Sequence, residues 1–243
     1  MSMKTDGTKG YLTATYTHLG RHYYVFRSLE SELKYEKPSS LSCLIIGPGM
    51  AEQRKRKDER TNTYQPFELA NILNKTNVKD YTIDILDINP EVLDELKKRP
   101  SLIRVPIIPK NQDIVIQRYY ESFFPKNTIE TYTDHRIVKI PESVTSRFHL
   151  QLGDIIKDEL PKEKYDIVVS TVILTHYYRE VTDADKDPGQ NTLKKIEDSV
   201  KPKGYLIDTE KGPWDFNWEE IDFNNDQLNA SIHHEKANLF RKK

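Results

Sequence analysis

The sequence predicts an α/β protein built on a doubly wound, mostly parallel sheet with helices on both faces. Three observations carry that expectation. Apolar runs of strand length recur at 43–46, 81–87, 165–174 and 203–208, and stretches with helical periodicity lie between them. The first run breaks into a Gly-x-Gly turn, Ile46-Gly-Pro-Gly49. The second run ends in an acid, Asp87, forty positions past Gly47. A buried strand feeding a glycine turn lets backbone approach a nucleotide closely, and an acid closing the neighbouring strand can hold both hydroxyls of a ribose. The pair points to an adenosine-containing cofactor.

Taken in order, residues 11–36 mix aromatic and aliphatic side chains with charges and read as one or two helices at the edge of the core, closed by Pro38. The strand at 43–46 follows. A polar loop, Gln53-Arg-Lys-Arg-Lys-Asp-Glu-Arg60, precedes a short amphipathic helix that begins near Pro66. The run Tyr81-Thr-Ile-Asp-Ile-Leu-Asp87 alternates and is β-rich. Asn89-Pro-Glu-Val-Leu-Asp-Glu-Leu-Lys-Lys98 carries an N-cap, proline in the first turn, acids first and lysines last, a strongly specified helix.

From about 100 to 145 four prolines punctuate short mixed runs, and no clean strand–helix unit fits; this is read as an insertion. Order returns at 148–154, then with the buried run at 165–174, a helix at 187–200 and a strand at 203–208. The tail after 210 is expected to close the sheet with one or two antiparallel strands. The resulting division is a helical, lid-like segment over 1–40 and one domain over 41–243.

A chain of 243 residues suits one such domain with additions. Hydrophobic residues make up 36% and charged residues 31%, enough for one core under a solvated surface. A net charge of −1 disfavours a dedicated nucleic-acid binder, whose affinity comes largely from phosphate neutralisation. The lone cysteine, Cys43, can form no internal disulfide and suggests a reducing compartment. No run reaches the length of a membrane span, and the polar opening lacks a signal-peptide core. The expectation is a cytoplasmic protein without a membrane partner.

Laid end to end, five segments resemble the class I S-adenosylmethionine-dependent methyltransferases, over about 42–209 without the insertion. Ile46-Gly-Pro-Gly-Met-Ala-Glu52 is similar to the family's glycine loop, and Leu86-Asp-Ile-Asn-Pro-Glu91 to its second motif, whose acid binds ribose. Leu152-Gly-Asp154-Ile resembles the third, whose aspartate faces the adenine amine. Lys164 to His176 resembles the fourth, and Val200-Lys-Pro-Lys-Gly-Tyr-Leu-Ile the strand after the last helix. The resemblance implies a Rossmann-like seven-stranded sheet, a transferase activity, and S-adenosyl-L-methionine as cofactor. It implies cofactor contacts at Gly47, Pro48, Gly49, Met50, Ala51, Glu52, Asp87, Ile88, Asp154, Ile155 and Thr171. Many family members also close the pocket with an N-terminal segment. The aromatics Tyr16 and Tyr23 are thus expected at the acceptor, together with Tyr177, Tyr178 and, as a possible base, His176.

The chain departs from the family at two points. Ile45 stands where an acid often contacts the methionine amine, and Ala51 replaces the third glycine. These leave open an alternative, a methyltransferase-like binding or regulatory subunit without turnover. A dinucleotide fingerprint fits less well: Glu52 stands where a glycine is wanted, and the acid normally follows by about 20 residues. Spermidine-synthase-like enzymes carry a catalytic aspartate where this chain has Ser170-Thr171.

Each expected contact has a structural rival. The glycines can simply turn the chain, and Asp87 can cap a helix, although Asn89 is better placed. Asp154 can cap Ile155-Ile-Lys157. His176 and the N-terminal aromatics can be packed side chains. The run at 183–187 lacks the glycine and glutamate a calcium loop requires, and no cysteine–histidine set has zinc spacing, so no metal is expected. Nor is a nucleophile needed: a sulfonium is already an activated methyl donor, and transfer chiefly requires a positioned acceptor. That acceptor is a small molecule or a protein side chain; the sequence fixes neither it nor the oligomeric state.

Overall fold

The computed structural model describes residues 19–20, 22–48, 64–76, 78–98, 101–108, 114–170, 187–208, 218–221 and 238–243. In chain order, α1 (Tyr23–Glu36) leads into β1 (Ser40–Ile46), then α2 (Gln65–Lys75), β2 (Asp80–Asp87) and α3 (Pro90–Lys97). A second group follows: β3 (Leu102–Pro106), α4 (Ile114–Glu121), a 3-10 turn (Pro125–Asn127), β4 (Thr128–Thr131), β5 (His135–Lys139) and the single-turn α5 (Glu142–Thr145). The chain then returns through β6 (Phe148–Leu152), β7 (Tyr165–Ser170), α6 (Asp187–Ser199), β8 (Val200–Asp208), β9 (Trp218–Glu220) and β10 (Asn238–Lys242).

Seven strands form one sheet in the order β6-β2-β1-β7-β8-β10-β9. The first five are parallel, and β10 runs antiparallel to both β8 and β9. The chain winds outward from β1 through β2 to β6, then crosses back to lay β7 on the other side of β1. Strand order therefore reverses between β1 and β7, where α/β sheets open a ligand crevice at their carboxyl ends. The expected Rossmann-like sheet is present, antiparallel closure included.

Local chemistry explains the elements nearest that edge. Strand β7 is buried along nearly its whole length and reads Ile-Val-Val, as a strand covered on both faces should. Helix α3 starts where Asn89 accepts the Glu91 N–H at 2.9 Å, with Pro90 in its first turn. Helix α2 differs from the amphipathic expectation, since every residue from Gln65 to Leu73 is buried. Its outward polar side is covered by α4 and the turn that follows: Asn71 Oδ1 accepts the Phe124 N–H at 3.2 Å, and Glu68 accepts from Tyr119.

The segment read as an insertion forms a three-stranded antiparallel sheet, β3-β5-β4. Arg136 ties it together by donating to Thr128 Oγ1 at 2.6 Å and to the carbonyls of Tyr120 and Phe123 at 2.7 and 2.5 Å. Its apolar side is not separate: Ile103, Val105, Tyr119, Phe123 and Val138 join α1, α2 and one face of the large sheet in a single core. A second cluster on the opposite face gathers Leu44, Ile46, Leu86, Val168, Leu206 and Phe240 beneath α6. No described helix is long and apolar enough to cross a membrane. Cys43 lies buried in β1, and burial holds its thiol far above the usual range.

Candidate active site

The described site gathers at the carboxyl ends of β1, β2 and β6. Gly47 leaves β1 with φ +56°, a left-handed backbone conformation that favours glycine. Its N–H donates to the Leu86 carbonyl at 2.8 Å, while the Gly153 N–H donates to the Asp87 carbonyl at 3.1 Å. Three segments singled out separately in the sequence are thus laced into one edge by two backbone hydrogen bonds. Gly153 sits there because nothing larger fits: an added Cβ would lie 2.6 Å from both Leu86 Cδ1 and Asp158 Oδ2. Gly153→Ala is expected to push the Asp158 carboxylate off the Asp154 N–H, which it now accepts at 2.7 Å. A loss of about 1–2 kcal/mol in chemical denaturation would register that change.

Asp87 is the electrostatic centre of this edge. It is only 3% exposed. Oδ1 accepts the Asn89 N–H at 2.8 Å, but Oδ2 is buried without a hydrogen-bond partner. Burial pushes its pKa up to about 6, against the smaller opposing pull of the Asn89 and Ile88 amides. A buried carboxylate oxygen left unpaired costs stability unless something else supplies a donor. Two ribose hydroxyls are donors of that kind.

The other expected contacts divide into three groups. Pro48 is buried directly after Gly47, Ile88 is half-buried beyond Asp87, and Ile155 packs on Leu86. Asp154 is engaged locally: Oδ1 accepts the Ile156 N–H at 3.0 Å and Oδ2 lies 3.2 Å from Lys157 Nζ. Tyr23 is fully buried, its ring centroid 3.7 Å from that of Tyr24 and 5.9 Å from that of Tyr119. Gly49, Met50, Ala51, Glu52, Thr171, His176, Tyr16, Tyr177 and Tyr178 lie outside the described residues.

Sequence reasoning missed Glu68. This 1%-exposed acid on α2 accepts the Gly20 N–H at 2.7 Å and the Tyr119 O–H at 2.6 Å, both on Oε1. Beside it the Tyr120 hydroxyl donates to the Leu19 carbonyl at 2.7 Å. The chain before α1, the helix after the glycine loop and α4 are thereby fastened together. Burial raises the Glu68 pKa to about 7, and the two donated hydrogen bonds pull the other way. Its partners stand 48 and 51 positions away, so the local sequence carried only one signal, an acid on the inner side of an otherwise apolar helix. Among the described residues, no group of three or more His, Cys, Asp or Glu side chains could hold a metal ion.

Sheet order, the reversal beside β1 and the unpaired acid ending β2 define a nucleotide-binding Rossmann-like domain with the fold of class I S-adenosylmethionine-dependent methyltransferases. No protein-family model and no curated protein matches the chain. Among solved structures it is similar to a TehB-like methyltransferase from Corynebacterium glutamicum, at 13% identity and a TM-score of 0.39, covering 88% of this chain and 87% of that one. It is also similar to a putative S-adenosylmethionine-dependent methyltransferase from Methanococcus maripaludis, at 12% identity and a TM-score of 0.34, covering 78% and 57%. A third, from Mesorhizobium loti, shares 13% identity at a TM-score of 0.32, covering 73% and 51%. The chain thus spans little more than half the length of the latter two.

Proposed function

We propose that this chain is an S-adenosylmethionine-dependent methyltransferase acting on a small molecule or a protein side chain, in the cytoplasm. The observation that carries the reading is Asp87 Oδ2, a buried carboxylate oxygen without a partner at the end of the strand beside the glycine turn. The ribose hydroxyls would be held by Asp87, with Gly47 and Pro48 beginning the turn that Gly49, Met50, Ala51 and Glu52 complete. Ile88 and Ile155 would flank the adenine. Asp154 would reach the adenine amine only by sharing a carboxylate already engaged with Ile156 and Lys157. Thr171 would follow at the end of β7, with His176, Tyr16, Tyr23, Tyr177 and Tyr178 on the acceptor side. The cofactor supplies a methyl group on a sulfonium; the protein supplies position and exclusion of water.

Calorimetric titration with S-adenosylmethionine and, separately, NADH tests the reading. Micromolar binding of the first with silence toward the second is expected, and the reverse pattern would overturn it. Cofactor affinity should also depend on pH with a fixed sign. Hydroxyl donors require ionised Asp87, and in the free protein its carboxyl is half protonated near pH 6. Affinity is therefore expected to be flat above pH 7 and about tenfold weaker at pH 5, where only about a tenth of the molecules are competent. A titration flat across that range would remove Asp87 from the site.

One observation favours a second reading, a binding subunit without turnover. Ile45 is fully buried in the core, so that position offers no carboxylate to an aminoacyl end. Formation of S-adenosylhomocysteine with any acceptor would dismiss it.

A further inference from the structure

One face of the large sheet changes character abruptly at its carboxyl edge. On β1, β7, β8 and β10 the residues Leu44, Val168, Leu206 and Phe240 stand side by side in register and share one apolar cluster. One step further along, the same face carries Ile46, Ser170, Asp208 and Asn238, again in register strand by strand. Three neighbouring strands therefore switch from apolar to polar at the same level. Solvation does not explain the switch, since Ser170 and Asp208 are each 1% exposed and Asn238 is 8% exposed. Ser170 Oγ is moreover buried without a hydrogen-bond partner, although a carboxylate stands opposite it on the next strand, about 4.8 Å away.

We propose that Ser170, Asp208 and Asn238 form the methyl-acceptor subsite and that the acceptor atom is an amine nitrogen. This rests on the methyltransferase reading of the same strand ends. The row begins beside the glycine turn, because Ser170 pairs with Ile46, and it runs away from Asp87, which lies on the far side of β1. Ribose and acceptor thus fall on opposite sides of β1, as a donor placed between them requires. A carboxylate only accepts hydrogen bonds, and a hydroxyl oxygen accepts as well. A nitrogen bearing hydrogens donates to both and bridges the gap that Ser170 and Asp208 leave open. An acceptor that must ionise to react, a carboxylic acid or a phenol, would instead face a buried carboxylate of like charge. The nitrogen enters neutral; its lone pair forms the N–C bond as the S–C bond breaks, and the proton shed by the resulting ammonium goes to solvent.

The test is calorimetric, on protein saturated with S-adenosylhomocysteine, with n-hexylamine, n-hexanol and hexanoate as matched probes. Binding of the amine alone is expected. Asp208→Asn should weaken it at least about tenfold, and Ser170→Ala by about threefold, while S-adenosylhomocysteine affinity stays unchanged. Hexanol or hexanoate binding as tightly as hexylamine, no amine binding, or indifference to Asp208→Asn would each overturn the subsite. If a variant fails to fold, the contrast among the three probes on the unsubstituted protein still decides. Failure to bind S-adenosylhomocysteine at all would instead strike the underlying methyltransferase reading.

Discussion

Replacing Asp87 with alanine is expected to weaken S-adenosylmethionine binding by about 100-fold or more, measured by calorimetry at pH 7.5. Two hydroxyls donating to one buried carboxylate are charge-assisted hydrogen bonds, each contributing about 1.5–3 kcal/mol. The same carboxylate strains the empty protein: it is 3% exposed, one oxygen is unpaired, and its pKa is pushed up to about 6. Asp87→Asn keeps an acceptor for the Asn89 N–H and removes the buried charge. Its melting temperature should therefore match or exceed that of the unsubstituted protein while cofactor affinity falls. Such opposition between stability and binding marks a residue kept for a ligand. A variant that lost stability but bound cofactor normally would show that Asp87 only supports the α3 cap.

Glu68 is expected to make folding stability fall as pH rises. Its folded pKa, about 7, lies above the model-peptide 4.5, so the folded state holds the proton more tightly. The associated stability is fully present below pH 4.5 and is lost as pH climbs through 7, a change on the order of 3 kcal/mol. Glu68→Gln retains a carbonyl oxygen for the Gly20 and Tyr119 donors but cannot titrate. Subtracting its pH–stability curve from that of the unsubstituted protein isolates the slope, since every other carboxyl is common to both. Equal slopes would show that Glu68 titrates near its ordinary value. Glu68→Ala goes further and strands two buried donors, with an expected loss of about 2–4 kcal/mol.

The large sheet was legible because its signals are local. A strand buried on both faces reads as unbroken apolar residues at 167–169, and Asn89 with Pro90 announces a helix within three positions. Asp87 could be singled out because the glycine turn and the acid each end a readable strand. What escaped notice was long-range. Nothing near Glu68 tells that Gly20 and Tyr119 will arrive there, and nothing in Leu206-Ile-Asp208 tells that Ser170 and Asn238 will flank it; only register supplies that. Strands β4 and β5 were hidden for another reason. They are short and mostly exposed, pairing around a central arginine instead of an apolar stripe.

The enclosure of α2 bears on how this molecule can vary. A helix whose outer side carries Glu68 and Asn71, both hydrogen-bonded to residues between 114 and 127, has no solvent-ready surface to fall back on. Trimming the chain between Ser101 and Ser146 would bare Phe67, Leu69 and Ile72 and leave two interior polar groups without their mates. The appended sheet is thus not a detachable ornament. Any descendant that shed it would have to rewrite α2 in the same stroke, which ties two distant stretches of sequence to a common fate.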